Sequence, residues 1–130
     1  MPSFLSPLLD GGSARFVLRN VRTNETLADQ LLTAFDSDSR RKGLLGRTSF
    51  PPGGALFIAP CNAVHTFFMR FPIDIIFITK SGDIVKLCRS QAPWRMAWAF
   101  RAYATIELAA GALESHDIAV GDGLAIVPRG

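Results

Sequence analysis

Cys61, His65, Arg70 and Asp74 interrupt one of the most apolar stretches of a 130-residue chain. Their types are those of a nucleophile, a base, an anion-binding cation and an orienting carboxylate. An ionised group taken out of water must find a partner or shift its pKa, so each is compensated internally or completed by something that arrives from outside. Cys61, His65 and Asp74 suit acyl transfer in the three triad roles. Extended backbone would hold thiol and imidazole about 13 Å apart, however, so the triad requires a turn at Cys61-Asn62-Ala63. His65 with Asp74, Glu107 or His116 offers metal-ligand chemistry, but these are single residues on separate elements without the tight spacing of a metal motif, and no metal or other cofactor is expected.

The reading that requires least is a structural polar network. Asp74 shares strand parity with Ile76 and Ile78, which lays its carboxylate along an apolar face where Arg70 or Arg47 could neutralise it. A core histidine at 65 needs only a backbone carbonyl. The preferred functional reading is a pocket at one end of a barrel in which Arg47, His65, Arg70 and Asp74 hold a small anionic ligand, because arginine forks match carboxylate and phosphate. A binding or interaction module is therefore expected rather than an enzyme. The stretch Arg89 to Arg101 sets Trp94, Trp98 and Phe100 among three arginines. One helical turn would bring Trp94 and Trp98 to a single face beside Arg95, suited to a protein partner or an anionic membrane surface. The expected alternative folds this loop over an open barrel end, with arginines against its tryptophans.

The elements that must position these residues are mostly strands. Phe16–Val21 and Leu27–Ala34 read as a hairpin, and a two-turn helix over Ser39–Leu45 has Asp36, Ser37 or Asp38 as cap and Gly46 at its left-handed end. Pro51-Pro52-Gly53-Gly54 stops regular structure before a buried run, Ala55–Ala59. Two further runs, His65–Arg70 and Ile73–Thr79, precede a turn at Lys80-Ser81-Gly82-Asp83 and a strand over Ile84–Arg89. Residues 90–102 break the pattern, Tyr103–Ala109 resumes it, and a helical turn near Leu113–His116 leads to a strand at Leu124–Val127. About eight short strands with one or two short helices predict an all-β domain, an antiparallel barrel or sandwich.

The chain holds 48% hydrophobic and 19% charged residues, too apolar for disorder, and its length suits one domain over 1–130 with residues 1–13 loosely ordered. A net charge of +3 is too small to indicate nucleic acid, and the cluster Arg40, Arg41, Lys42 with Arg47 reads as a solvated face rather than a phosphate site. No run approaches the roughly 18 apolar residues of a membrane span. The first ten residues lack a basic segment before an apolar one, so cytoplasmic residence is expected, with Cys61 and Cys88 as reduced thiols.

Several motifs carry a resemblance: Arg41-Lys42-Gly43-Leu44-Leu45-Gly46-Arg47, then Pro60-Cys61-Asn62-Ala63-Val64-His65-Thr66-Phe67-Phe68-Met69-Arg70-Phe71-Pro72-Ile73-Asp74. Ser81-Gly82-Asp83, Pro93-Trp94-Arg95, Ile106-Glu107-Leu108 with Gly111, and Gly121-Asp122 follow in order. Over roughly residues 27–127 the chain resembles the prokaryotic family called domain of unknown function 192. The resemblance implies a compact all-β domain with short helices, and it implies no activity.

Overall fold

A computed structural model describes residues 3–9 and 11–130. The described strands are β1 (Phe16–Asn20), β2 (Thr26–Ala28), β3 (Gln30–Ala34), β4 (Gly54–Ile58), β5 (Ala63–His65), β6 (Ile73–Ile78), β7 (Ile84–Gln91), β8 (Met96–Trp98), β9 (Ala104–Ala109) and β10 (Leu124–Pro128). The one described α-helix, α1, spans Ser37–Lys42 between β3 and β4. The domain is thus all-β with a minor helix. Its sheets run β3-β4-β9-β6-β7, β10-β1-β2 and β5-β8, and none closes on itself into a barrel. No described helix is long and apolar enough to cross a membrane.

The five-stranded sheet is covered on both faces, which is why β4 and β6 read as nearly continuous apolar runs. On one face Phe57, Ile76, Ile78, Ile106 and Leu108 pack with Leu18, Leu27, Leu124 and Ile126 of the three-stranded sheet. On the other, Leu56, Ile58, Ile73, Ile75 and Phe77 pack with Leu44, Phe50, Met69 and Ala97. Each such side chain contributes about 1.5–3 kcal/mol when fully buried. Of residues 1–13, expected to be loosely ordered, Phe4, Leu5 and Leu8 are buried in the first cluster, while Met1, Pro2 and Asp10 lie outside the described residues.

Several sequence expectations are corrected. The run 27–34 is not one strand: it divides at Asp29, so that β2 completes the hairpin with β1 while β3 enters the other sheet. There β3 lies parallel to β4, the one parallel pair of the described sheets, because the intervening segment carries α1 and is long enough for a crossover. Asp36 caps α1 by accepting from the Ser39 amide at 2.8 Å, and the helix stops at Gly43, with φ +49°, before the expected Leu45-Gly46. Residues 66–70 are turns rather than strand. The Thr66 amide donates to the Arg95 carbonyl at 2.8 Å, and the Thr66 hydroxyl accepts from the Arg95 amide at 2.9 Å and donates to the Ala92 carbonyl at 2.6 Å, so that the chain is tied to the 90s loop and turns after Thr66. That second loop, expected to lack strand, contains β8, and residues 113–116 are turns without a helix.

Asp74 is wholly buried on β6 and, as its parity indicates, faces the cluster holding Ile76 and Ile78. Between the pairs Ile73↔Gln91 and Ile75↔Cys88, β7 carries one extra residue, a bulge that takes the Ser90 amide out of the ladder. Asp74 Oδ1 accepts that amide at 2.7 Å, and Oδ2 accepts the Leu113 amide at 2.8 Å. Asp74→Ala strands both donors, and it should lower the free energy of unfolding by about 2–5 kcal/mol in urea titrations. A loss below about 1 kcal/mol would show that water replaces the carboxylate.

Candidate functional site

On the second face of the large sheet a cavity of about 640 Å³ opens between α1 with its following turn, the segment 60–65 and the sheet itself. Leu44, Ile58, Val64 and Met69 form apolar wall, while Arg40, Arg41 and Lys42 from the last turn of α1 bring positive charge to it. Arg41 already pairs with Asp38 at 2.8 Å. Glu107 lies at the sheet side. Its strand, β9, places Thr105 and Glu107 opposite Ile106 and Leu108, and Glu107 is only 4% exposed. Its Oε1 is buried and has no hydrogen-bond partner. Burial pushes its carboxyl up from an ordinary 4.5 to about 7. A Cβ at Gly43 would stand 3.2 Å from this Oε1, and φ +49° disfavours a side chain there in any case, so glycine keeps the approach to the carboxyl clear.

The expected ligand set does not converge. His65 lines this cavity, exposed, with Nδ1 accepting from the Phe67 amide at 3.3 Å and its ring stacked on Phe67 at 5.0 Å. Arg47 lies beyond α1 in the wall of a second, smaller cavity of about 530 Å³, over the Phe50 ring at 5.6 Å. Arg70 is exposed in the turn preceding β6, outside the cavity. Asp74 is sealed on the opposite face of the sheet, which separates it from His65 and removes the carboxylate from the proposed triad. Cys61 does line the cavity, its thiol donating to the Ala63 carbonyl at 3.2 Å, and both cysteines are free. Cys88 sits elsewhere on β7, with burial raising its thiol pKa. His116 pairs with Glu25 at 3.1 Å instead of with the other suggested metal ligands, and no group of three potential ligands gathers among the described residues.

Trp94 and Trp98 are not on a helical face. Trp94 occupies a turn with φ +66°, against Phe68 at 4.6 Å and Phe67 at 6.0 Å, and Trp98 is on β8 with Lys86 5.5 Å from its ring centroid. The tryptophans are 54% and 48% exposed, so the loop does not fold them away. Arg95 is exposed between them.

A family model, domain of unknown function 192 (DUF192), described as an uncharacterized ACR, matches residues 19–126. The chain belongs to the DUF192 family. Two crystal structures share the fold of this DUF192 domain. One is a Sinorhizobium meliloti protein described as a candidate transcription regulator, 21% identical, with a TM-score of 0.75 over 86% of this chain and 92% of that one. The other, a Novosphingobium aromaticivorans protein of unknown function, is 18% identical, with a TM-score of 0.72 over 85% and 82% of the two chains. No functionally curated protein matches.

The sequence offers Glu107 only as a scattered metal ligand, and the Arg40-Arg41-Lys42 run reads there as a solvated face in preference to a phosphate site. The available signal was a lone carboxylate inside an otherwise uncharged strand, Ala104 to Ala109, on the parity that carries Thr105. The unfolded chain releases the Glu107 proton near 4.5 and the folded protein near 7, so the folded state binds more protons between these values. Its contribution to stability is therefore fully present below about 4.5 and is lost as pH rises towards 7, a slope amounting to about 3 kcal/mol in all. Urea denaturation across this range should show the slope in the native protein and its absence in Glu107→Gln. Parallel profiles would place the titration in another group.

Proposed function

We propose that this domain is a small-molecule binding module whose ligand enters the cavity beside Glu107 with an anionic group towards Arg40 and Lys42 and a hydrogen-bonding group towards the buried carboxyl. The cavity volume falls within the range of small-ligand sites, where a few polar groups on largely apolar walls fix orientation. The observation that carries the reading is the unpartnered Glu107 Oε1: a buried polar atom without a partner costs stability unless something from outside completes it. With its carboxyl near 7, Glu107 offers a donor when protonated and an acceptor when ionised, so ligand affinity should change across neutral pH. This moves the set of anion-binding groups from Arg47 and Arg70 to Arg40 and Lys42, and it retains His65 at the wall.

A catalytic reading has one observation in its favour, since a carboxyl poised near neutrality and a free thiol line the same cavity, groups of the kind that general acid and base chemistry uses. Binding is the more economical reading, because the Cys61 thiol donates to a backbone carbonyl and no second base orients it.

A panel of small carboxylates and phosphate monoesters, read by thermal shift and then calorimetry, tests the proposal. At least one compound should bind saturably, at least about tenfold more weakly to Glu107→Leu and to Arg40→Ala/Lys42→Ala, with Glu107→Gln losing the pH dependence near 7. Binding that is indifferent to all three changes, or no saturable compound in the panel, would sink the reading. Consumption of the bound compound would instead establish the catalytic one.

A further inference from the structure

Strand β8 and its continuation invert the usual burial rule. Ala97 is buried and Ala99 packs beside it in the second cluster, whereas Met96, Trp98 and Phe100 on the alternate positions are 58%, 48% and 83% exposed. Phe68, 67% exposed, and Trp94 extend the same surface, since their rings meet at 4.6 Å and the Trp94 amide donates to the Thr66 carbonyl at 3.0 Å. Among the described residues, positive φ occurs at four non-glycine positions, of which Phe68 and Trp94 lie in these two loops and Ser90 in the β7 bulge beside them. Strain of this kind persists only where the surroundings enforce it, and it holds two large aromatics in water instead of turning them inward.

We propose that this surface docks the protein onto a membrane leaflet rich in anionic lipid headgroups. Charge supports it: residues 84–106 contain no Asp or Glu and carry Lys86, Arg89, Arg95 and Arg101, and residues 39–73, also without an acidic side chain, add Arg70 next to Phe68. Of the two intervening acids, Asp74 is sealed and occupied by two backbone amides, and Asp83, exposed, lies in the turn between β6 and β7, bridged to Gly123 and accepting from the Ser81 hydroxyl. Aromatic side chains among cations have the chemistry of the membrane interface, where rings enter between headgroups and arginines meet phosphate. Single-stranded nucleic acid would need ring faces free for stacking. Here a Trp98 face carries the Lys86 ammonium, Trp94 is engaged by Phe67 and Phe68, and Met96 has no ring. A second copy of the chain would set arginines against arginines across a twofold contact, an uncompensated repulsion.

Co-sedimentation and tryptophan emission with vesicles of phosphatidylcholine alone, or mixed equally with phosphatidylglycerol, test the proposal. The native protein should bind the mixed vesicles, with a blue shift and with affinity that falls as salt rises, and should leave pure phosphatidylcholine largely unbound. Trp98→Ser/Phe100→Ser and Arg95→Glu/Arg101→Glu should each weaken binding about tenfold or more, and unchanged circular dichroism would show that these surface changes spare the fold. No binding to either vesicle, or equal binding to both, overturns the proposal. So does light scattering that reveals a dimer abolished by Trp98→Ser/Phe100→Ser, or an oligothymidylate that binds the native protein and is lost in the same variants.

Discussion

A sheet covered on both faces leaves no water for a charge placed on it, and this constraint organises the molecule. Two carboxylates sit on adjacent central strands, paired so that Asp74 lies opposite Leu108 and Glu107 opposite Ile75. They point to opposite faces. Asp74 meets the amide released by a bulge and a second amide from a loop, so its charge is answered by the backbone. Glu107 meets neither, and its carboxyl responds by holding its proton to about 7. The same burial that stabilises the sheet makes one of these groups a structural anchor and leaves the other unfinished.

Much of the fold was legible because alternation and turn chemistry are local. The buried runs of β4, β6 and β9, the β6–β7 hairpin and the Asp36 cap follow from residues near one another in the chain. The parity of Asp74 with Ile76 and Ile78 was legible too, but its partners were not, because the Ser90 amide comes from a strand bulge 16 residues away and the Leu113 amide from a loop 39 residues away. His65 to Arg70 looks like a strand from its aromatic and apolar content, yet the hydroxyl and backbone of Thr66 together tie that segment to Ala92, Trp94 and Arg95. For Trp94 and Trp98, a spacing of four suggested a helix turn. The decisive pattern was the period of two in Met96, Trp98 and Phe100, with alanines between.

The cavity and the aromatic surface share one structural member. Val64 pairs with Ala97 and His65 with Met96 in the β5-β8 ribbon, so the strand that supplies a wall of the cavity is hydrogen-bonded to the strand that presents Met96 and Trp98. A small two-stranded ribbon is marginal by itself and depends on the packing of Val64 and Ala97 against the large sheet. Distortion at either place is therefore felt at the other through three backbone pairs.

The three-stranded sheet places β1 between β2 and β10, joining residues 16–20 to residues 124–128. During synthesis β1 can recruit β2 almost at once, but its other edge stays open until more than a hundred further residues have left the ribosome. Closing so long a loop is slow, and the waiting edge is a template for any extended chain nearby. A nascent chain of this domain therefore passes through an interval in which one edge of β1 stands without its partner strand.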